Sequence, residues 1–173
     1  MQVRFEPTAD RVLWQLRTHG GELFEVWLTR RLLRQVWPLL QGLVGQAGLK
    51  RMSANATVLP EARAMLAQAA RERPLPMADF SQPFNTQPAT KPLGPEPLLP
   101  EAVELGPGAN GQGLKLQLRD AAGRNLALGL SDDLATGLAR LLEQALIAAD
   151  WGITAAPATP EALTPAGPPT LLS

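Results

Sequence analysis

The chain has 173 residues, 45% of them apolar, which supports one domain with a real core and is short for two. Lysine plus arginine and aspartate plus glutamate stand at 16 each, a balance that argues against a protein whose main work is holding nucleic acid on a broad basic face. The absence of cysteine excludes disulfides, thiolate metal sites and a cysteine nucleophile.

Met1 to Glu6 alternate in polarity, unlike a secretion signal, and no apolar run approaches the ~18 residues of a membrane helix. A soluble, cytoplasmic protein is expected. Val12, Trp14 and Leu16, then Phe24, Val26 and Leu28, alternate as half-buried strands do, with Thr18-His19-Gly20-Gly21 between them. Thr29 is a good N-cap for a helix carrying Leu32, Val36, Leu39, Leu40, Leu43 and Val44 as its buried stripe. Pro38 inside that helix removes a hydrogen bond and predicts a kink, and Gly48 is the expected stop.

The same pattern returns at an offset of 102. Leu114, Leu116 and Leu118 fall on the first strand, and Leu126, Leu128 and Leu130 on the second. Asp120-Ala121-Ala122-Gly123 falls on the turn, with Asp first and Gly fourth as in a type I turn closed by a left-handed residue. Gly21 and Gly123 share a position where a side chain is expected to clash. Ser131 repeats the cap, ahead of Leu134, Leu138, Leu141, Leu142, Ala145 and Leu146. Val3 aligns with Leu105, so each unit has room for a third strand. One unit cannot bury its own sheet face, whereas two can do so jointly. The expected fold is α+β: an internally duplicated β-meander or hairpin-plus-helix unit, forming one antiparallel sheet of four to six strands with two long helices packed on it.

Residues 1–151 read as a single domain: repeat one over 1–48, a connector over 49–100, repeat two over 101–151. In the connector, Leu59, Ala62, Leu66 and Ala69 make a weak helical stripe behind Pro60, and prolines then crowd between Pro74 and Pro100. Phe80, Phe84, Leu93, Leu98 and Leu99 suggest that this stretch lies on the domain. Residues 152–173, rich in Pro, Ala and Thr, read as a disordered tail.

Three segments carry a resemblance: Trp27-Leu28-Thr29-Arg30-Arg31-Leu32, Ala78-Asp79-Phe80-Ser81-Gln82-Pro83-Phe84, and Pro92-Leu93-Gly94-Pro95-Glu96-Pro97-Leu98-Leu99. With them the chain resembles an uncharacterised family of small proteobacterial proteins over most of residues 15–151. The resemblance implies a bacterial source and brings no activity and no catalytic residue.

Catalytic chemistry finds no converging groups in the sequence. His19 is the single histidine and falls in a turn, where a solvated polar residue is ordinary. Asp132-Asp133 follow a helix cap, where negative charge is favoured. The glycines at 106, 108, 111 and 113 precede a strand and so do not form a phosphate loop. No cofactor, metal or catalytic residue is assigned, and the reading is non-enzymatic.

Function is sought instead where the two copies disagree. Leu13, Leu23 and Trp27 correspond to Lys115, Asn125 and Gly129; Arg30-Arg31 to Asp132-Asp133; Leu33 and Trp37 to Ala135 and Ala139. The first copy is larger, more apolar and more basic. Three explanations stay open. The connector covers this face, with Asp79 or Glu96 paired to Arg30 or Arg31. Alternatively the face binds a second copy or another protein, as its Trp and Arg content suits. Finally, Arg30, Arg31 and Arg34 hold an anion or nucleic-acid backbone at the helix start. The candidate interaction surface is Leu13, Leu23, Trp27, Arg30, Arg31, Arg34 and Trp37. It belongs to an assembly or interaction protein, expected to be a homodimer. Nucleic-acid binding, with Lys50 and Arg51 added, is the runner-up, and a small-molecule enzyme is the remaining alternative.

Overall fold

A computed structural model describes residues 1–52, 65, 68, 69 and 90–153. In chain order these form β1 (Gln2–Glu6), a 3-10 turn (Pro7–Ala9), β2 (Arg11–Arg17), β3 (Leu23–Thr29) and α1 (Arg30–Met52). After the connector come β4 (Pro100–Pro107), a second short turn (Ala109–Gly111), β5 (Leu114–Asp120), β6 (Asn125–Leu130) and α2 (Asp132–Ala149). The fold is α+β. Among the described residues no helix is long and apolar enough to cross a membrane.

The strands form two antiparallel three-stranded sheets, β1-β2-β3 and β4-β5-β6, in place of the single larger sheet expected. The reason is local. Beside β3, Leu98 makes a parallel bridge to Val26: its N–H donates to the Glu25 carbonyl, and its own carbonyl accepts from Trp27 N–H, both at 2.8 Å. The next rung of a parallel ladder needs the N–H of residue 100, which is proline and has none. The ladder therefore stops at one bridge, and β4 leaves to pair with β5.

The two halves agree in detail at the offset of 102. Val12 pairs with Leu28 as Leu114 pairs with Leu130, and Val3 with Trp14 as Leu105 with Leu116. Gly21 N–H bonds the Thr18 carbonyl at 3.1 Å, and Gly123 N–H the Asp120 carbonyl at 3.2 Å. Their φ angles are +83° and +80°. A Cβ at either glycine would meet nothing within 4 Å. Glycine is thus required by the left-handed backbone and not by the expected clash. Thr29 Oγ1 accepts from Leu32 N–H at 3.2 Å, and Ser131 Oγ accepts from Leu134 N–H at 3.3 Å, so both expected caps form.

Each helix packs more extensively on the other half's sheet than on its own: α1 lies on β4 and α2 on β1, and the helices also touch each other. Both sheets therefore send their inner faces, Val12, Trp14, Val26 and Leu28 from one and Leu114, Leu116, Leu118, Leu126 and Leu130 from the other, into a common core. The buried line of α1 is Leu33, Trp37, Leu40 and Val44 with Leu32 beside it, while Leu39, expected inside, is 60% exposed. The equivalent line of α2 is Ala135, Ala139, Leu142 and Leu146. The helix α1 continues through Pro38, which lies on its exposed side, and past Gly48 to Met52.

Candidate interaction surface

The seven residues singled out from the sequence do not form one surface. Trp37 is 2% exposed and sits with Leu33 in the core. Their equivalents Ala135 and Ala139 are buried too. Large side chains on one helix and small ones at the matching places on the other let the two pack closely, as interior density requires. This difference between the halves is therefore one of core shape, and Trp37 leaves the partner surface. Leu13 is only 5% exposed, on the outer face of β2 between Arg4 of β1 and Trp27 of β3. Leu23 and Trp27 are half-buried on the same sheet.

Arg30, Arg31 and Arg34 are exposed. Arginines at a helix start oppose its dipole, and for Arg30 the compensation is visible. Its guanidinium donates to the Trp151 carbonyl at 3.1 Å, just past the C-terminus of α2, where positive charge is favoured. Trp151 is itself fixed: its indole N–H donates to Asp10 at 2.9 Å, and its ring meets Phe5 edge to face at 5.6 Å. The start of α1 thus lies against the end of α2. Trp151 and Ile153, partly outside the expected domain limit, belong to the packed structure. Neither Arg31 nor Arg34 has a partner among the described residues.

The connector's described end, from Thr90 to Leu99, lies along the β3 edge. Thr90 carbonyl accepts from Leu23 N–H at 2.9 Å, and Lys91 Nζ reaches Glu25 at 2.6 Å. Glu25 also accepts from Gln15 at 2.7 Å. Burial pushes the Glu25 carboxyl up, and the bonds from Lys91 and Gln15 with the Lys91 and Arg4 charges more than reverse this, leaving its pKa low. Glu96 does not pair with Arg30 or Arg31. Its backbone carbonyl accepts from Arg124 at 2.9 Å, as the Leu93 carbonyl does at 3.0 Å. Arg124 also binds Asp120 Oδ2 at 2.7 Å, and its N–H donates to Oδ1 at 2.8 Å. Burial pushes the Asp120 pKa up, but the Arg124 bonds and charge, joined by the Ala122 N–H, hold it below the ordinary value. Arg124 clasps the connector to the β5–β6 turn, a role that sequence reading missed because three of its acceptors are the backbone carbonyls of Leu93, Glu96 and Pro97. Asp79, Phe80 and Phe84, and most of the expected connector helix, lie outside the described residues, as does the tail from residue 154.

His19 is exposed in its turn. Asp132 accepts from Gly113 N–H at 2.6 Å, tying the α2 start to the β5 approach, so this aspartate has a structural use. Among the described residues no three metal-ligating side chains converge.

Two hollows remain. A cavity of about 30 Å³ at the centre of the core is lined by Trp14, Leu28, Leu33, Leu105, Leu138 and neighbouring aliphatic residues, without a carboxylate, hydroxyl or base. An open groove of about 390 Å³ runs between α1 and α2. Trp37 forms its inner wall, Leu146, Ile147 and Ile153 supply apolar surface, and Glu143 and Asp150 bring carboxylates. Ile147 is 76% exposed. The sequence held a signal for this groove: with Glu143 and Asp150, Ile147 follows an i, i+4, i+7 line off the α2 core stripe, where an isoleucine has no internal use. No family model, curated protein or solved structure matches the chain.

Proposed function

We propose that the protein is a non-enzymatic assembly module that works as a homodimer, with α1 of the first half as its principal contact. The observation that carries this reading is the exposed side of α1. Arg31, Arg34 and the 60%-exposed Leu39 stand there without internal partners among the described residues, on a helix whose second-half equivalent begins with two aspartates. Arginine beside aliphatic surface is common interface chemistry. The two hollows support the same reading. The central one offers no group able to move a proton or attack a substrate, and the outer one joins apolar surface to charge. We also infer that the matching registers, turns and caps of the two halves reflect an internal duplication. On that view the first copy acquired arginines at the helix start where the second carries aspartates. The test is the molar mass in solution by light scattering over a dilution series. A mass twice that of the chain supports the module as a homodimer, and a monomer at every concentration refutes it.

A further inference from the structure

We propose that the α1–α2 groove is the self-interface, and that in a two-fold dimer Arg31 and Arg34 of one copy face Glu143 and Asp150 of the other. This rests on the assembly reading above and names its partner and contacts. The argument begins with the helix faces. Arg30, Arg34 and Trp37 follow an i, i+4, i+7 line on α1, and Arg30 is held at the end of α2 by its bond to Trp151. Arg34 therefore lies on the stripe that leads to the groove wall, with Arg31 one turn before it. Opposite, Glu143 and Ile147 of α2 and Asp150, its left-handed C-cap, border the same groove. No side chain of Arg31, Arg34, Glu143 or Asp150 has an ion pair or hydrogen bond among the described residues.

The α1 side of the groove thus carries positive charge, and the other side carries Ile147 between Glu143 and Asp150. Such a patch is complementary to its own copy turned by a half-rotation, the requirement of an isologous interface. Opposite charges across the axis fix the register and disfavour other partners.

The experiment compares three full-length variants with the wild type by light scattering and sedimentation, with circular dichroism as the check on folding. They are R31E/R34E, E143R/D150N and I147E. Each is expected to weaken dimerisation by about a hundredfold through like charges or a charge in place of Ile147. Mixing the first two restores a dimer, because the reversed charges then meet. Ile147 is so exposed that I147E leaves the fold intact, which decides the matter if another variant fails to fold. A wild-type dimer untouched by I147E overturns the groove as the interface while the homodimer stands. A monomeric wild type removes both.

Discussion

Arg30 and Trp151 stand 121 residues apart in sequence, yet the guanidinium of one donates to the carbonyl of the other at 3.1 Å. This bond joins the first residue of α1 to the residue two places beyond α2, and so ties the two halves at the point where their helices meet. It also explains an arginine at a helix start: the unfavourable interaction with the α1 dipole is offset by the favourable one at the α2 end. Exposure of Arg30 limits the gain. Arg30→Ala is expected to cost about 1 kcal/mol of stability, read from urea denaturation. Arg31→Ala, next in sequence but without this bond, is expected to stay within about 0.5 kcal/mol of the wild type. Equal losses at the two positions would show that the Arg30 bond contributes nothing.

The glycines separate backbone strain from close contact. Gly123 has a φ of +80° with open space around it, whereas Gly113 has a φ of +70° and a Cβ there would overlap the Leu130 carbonyl. Gly123→Ala should cost about 1–2 kcal/mol, the left-handed penalty alone. Gly21→Ala should match it, since the two turns are alike. Gly113→Ala must also push β5 from the end of β6, and its melting temperature should fall clearly further. A Gly113 variant as stable as the Gly123 variant would mean that the chain yields there at little cost.

The strands, turns and caps of the two halves were legible because each rests on local chemistry: period-two apolar strands, a left-handed glycine, a hydroxyl before a helix. The separation into two sheets was harder to read, since it turns on which N–H of the connector meets which β3 carbonyl, and only pairing shows that Pro100 falls on the next rung. The candidate surface was half legible. Substituting Trp37 for Ala139 reads as a surface change if each half is considered alone. With the helices crossed onto each other's sheets, both positions face the core and compensate in volume. Arg31 and Arg34 were placed correctly outside, but Glu143 and Asp150, their proposed counterparts, lie over a hundred residues away on a helix whose polar face looked ordinary.

Acid stability should depend on the two carboxylates that carry connector contacts. Glu25 and Asp120 both have lowered pKa values in the folded protein. As pH falls, the unfolded chain takes up protons first, at ordinary carboxylate values near pH 4. The stability they contribute is therefore complete above that range and lost as pH drops through the folded values. The urea midpoint should be nearly level from pH 7 to 5 and decline below about pH 4. Asp120→Asn and Glu25→Gln should each lower the midpoint at pH 7 and flatten the acid decline. An acid limb of unchanged slope in both variants would place the acid sensitivity elsewhere.

Trp151 gives the strongest test of how the halves are held together. Its ring packs on Phe5 of β1, its N–H bonds Asp10 after β1, and its carbonyl receives Arg30 of α1, so one residue after α2 touches three segments of the first half. Removing the ring opens a cavity between the halves, and Trp151→Ala should cost about 3–5 kcal/mol. Trp151→Phe keeps most of the packing and leaves Asp10 without its donor. Asp10 is exposed and can turn to water, so the loss should be about 1 kcal/mol. Native-state hydrogen exchange locates the effect. In Trp151→Ala, the amides of β1 should lose protection together with those of the last turn of α2, because the same side chain pins both. Loss confined to α2 would show that the first half holds β1 without this residue.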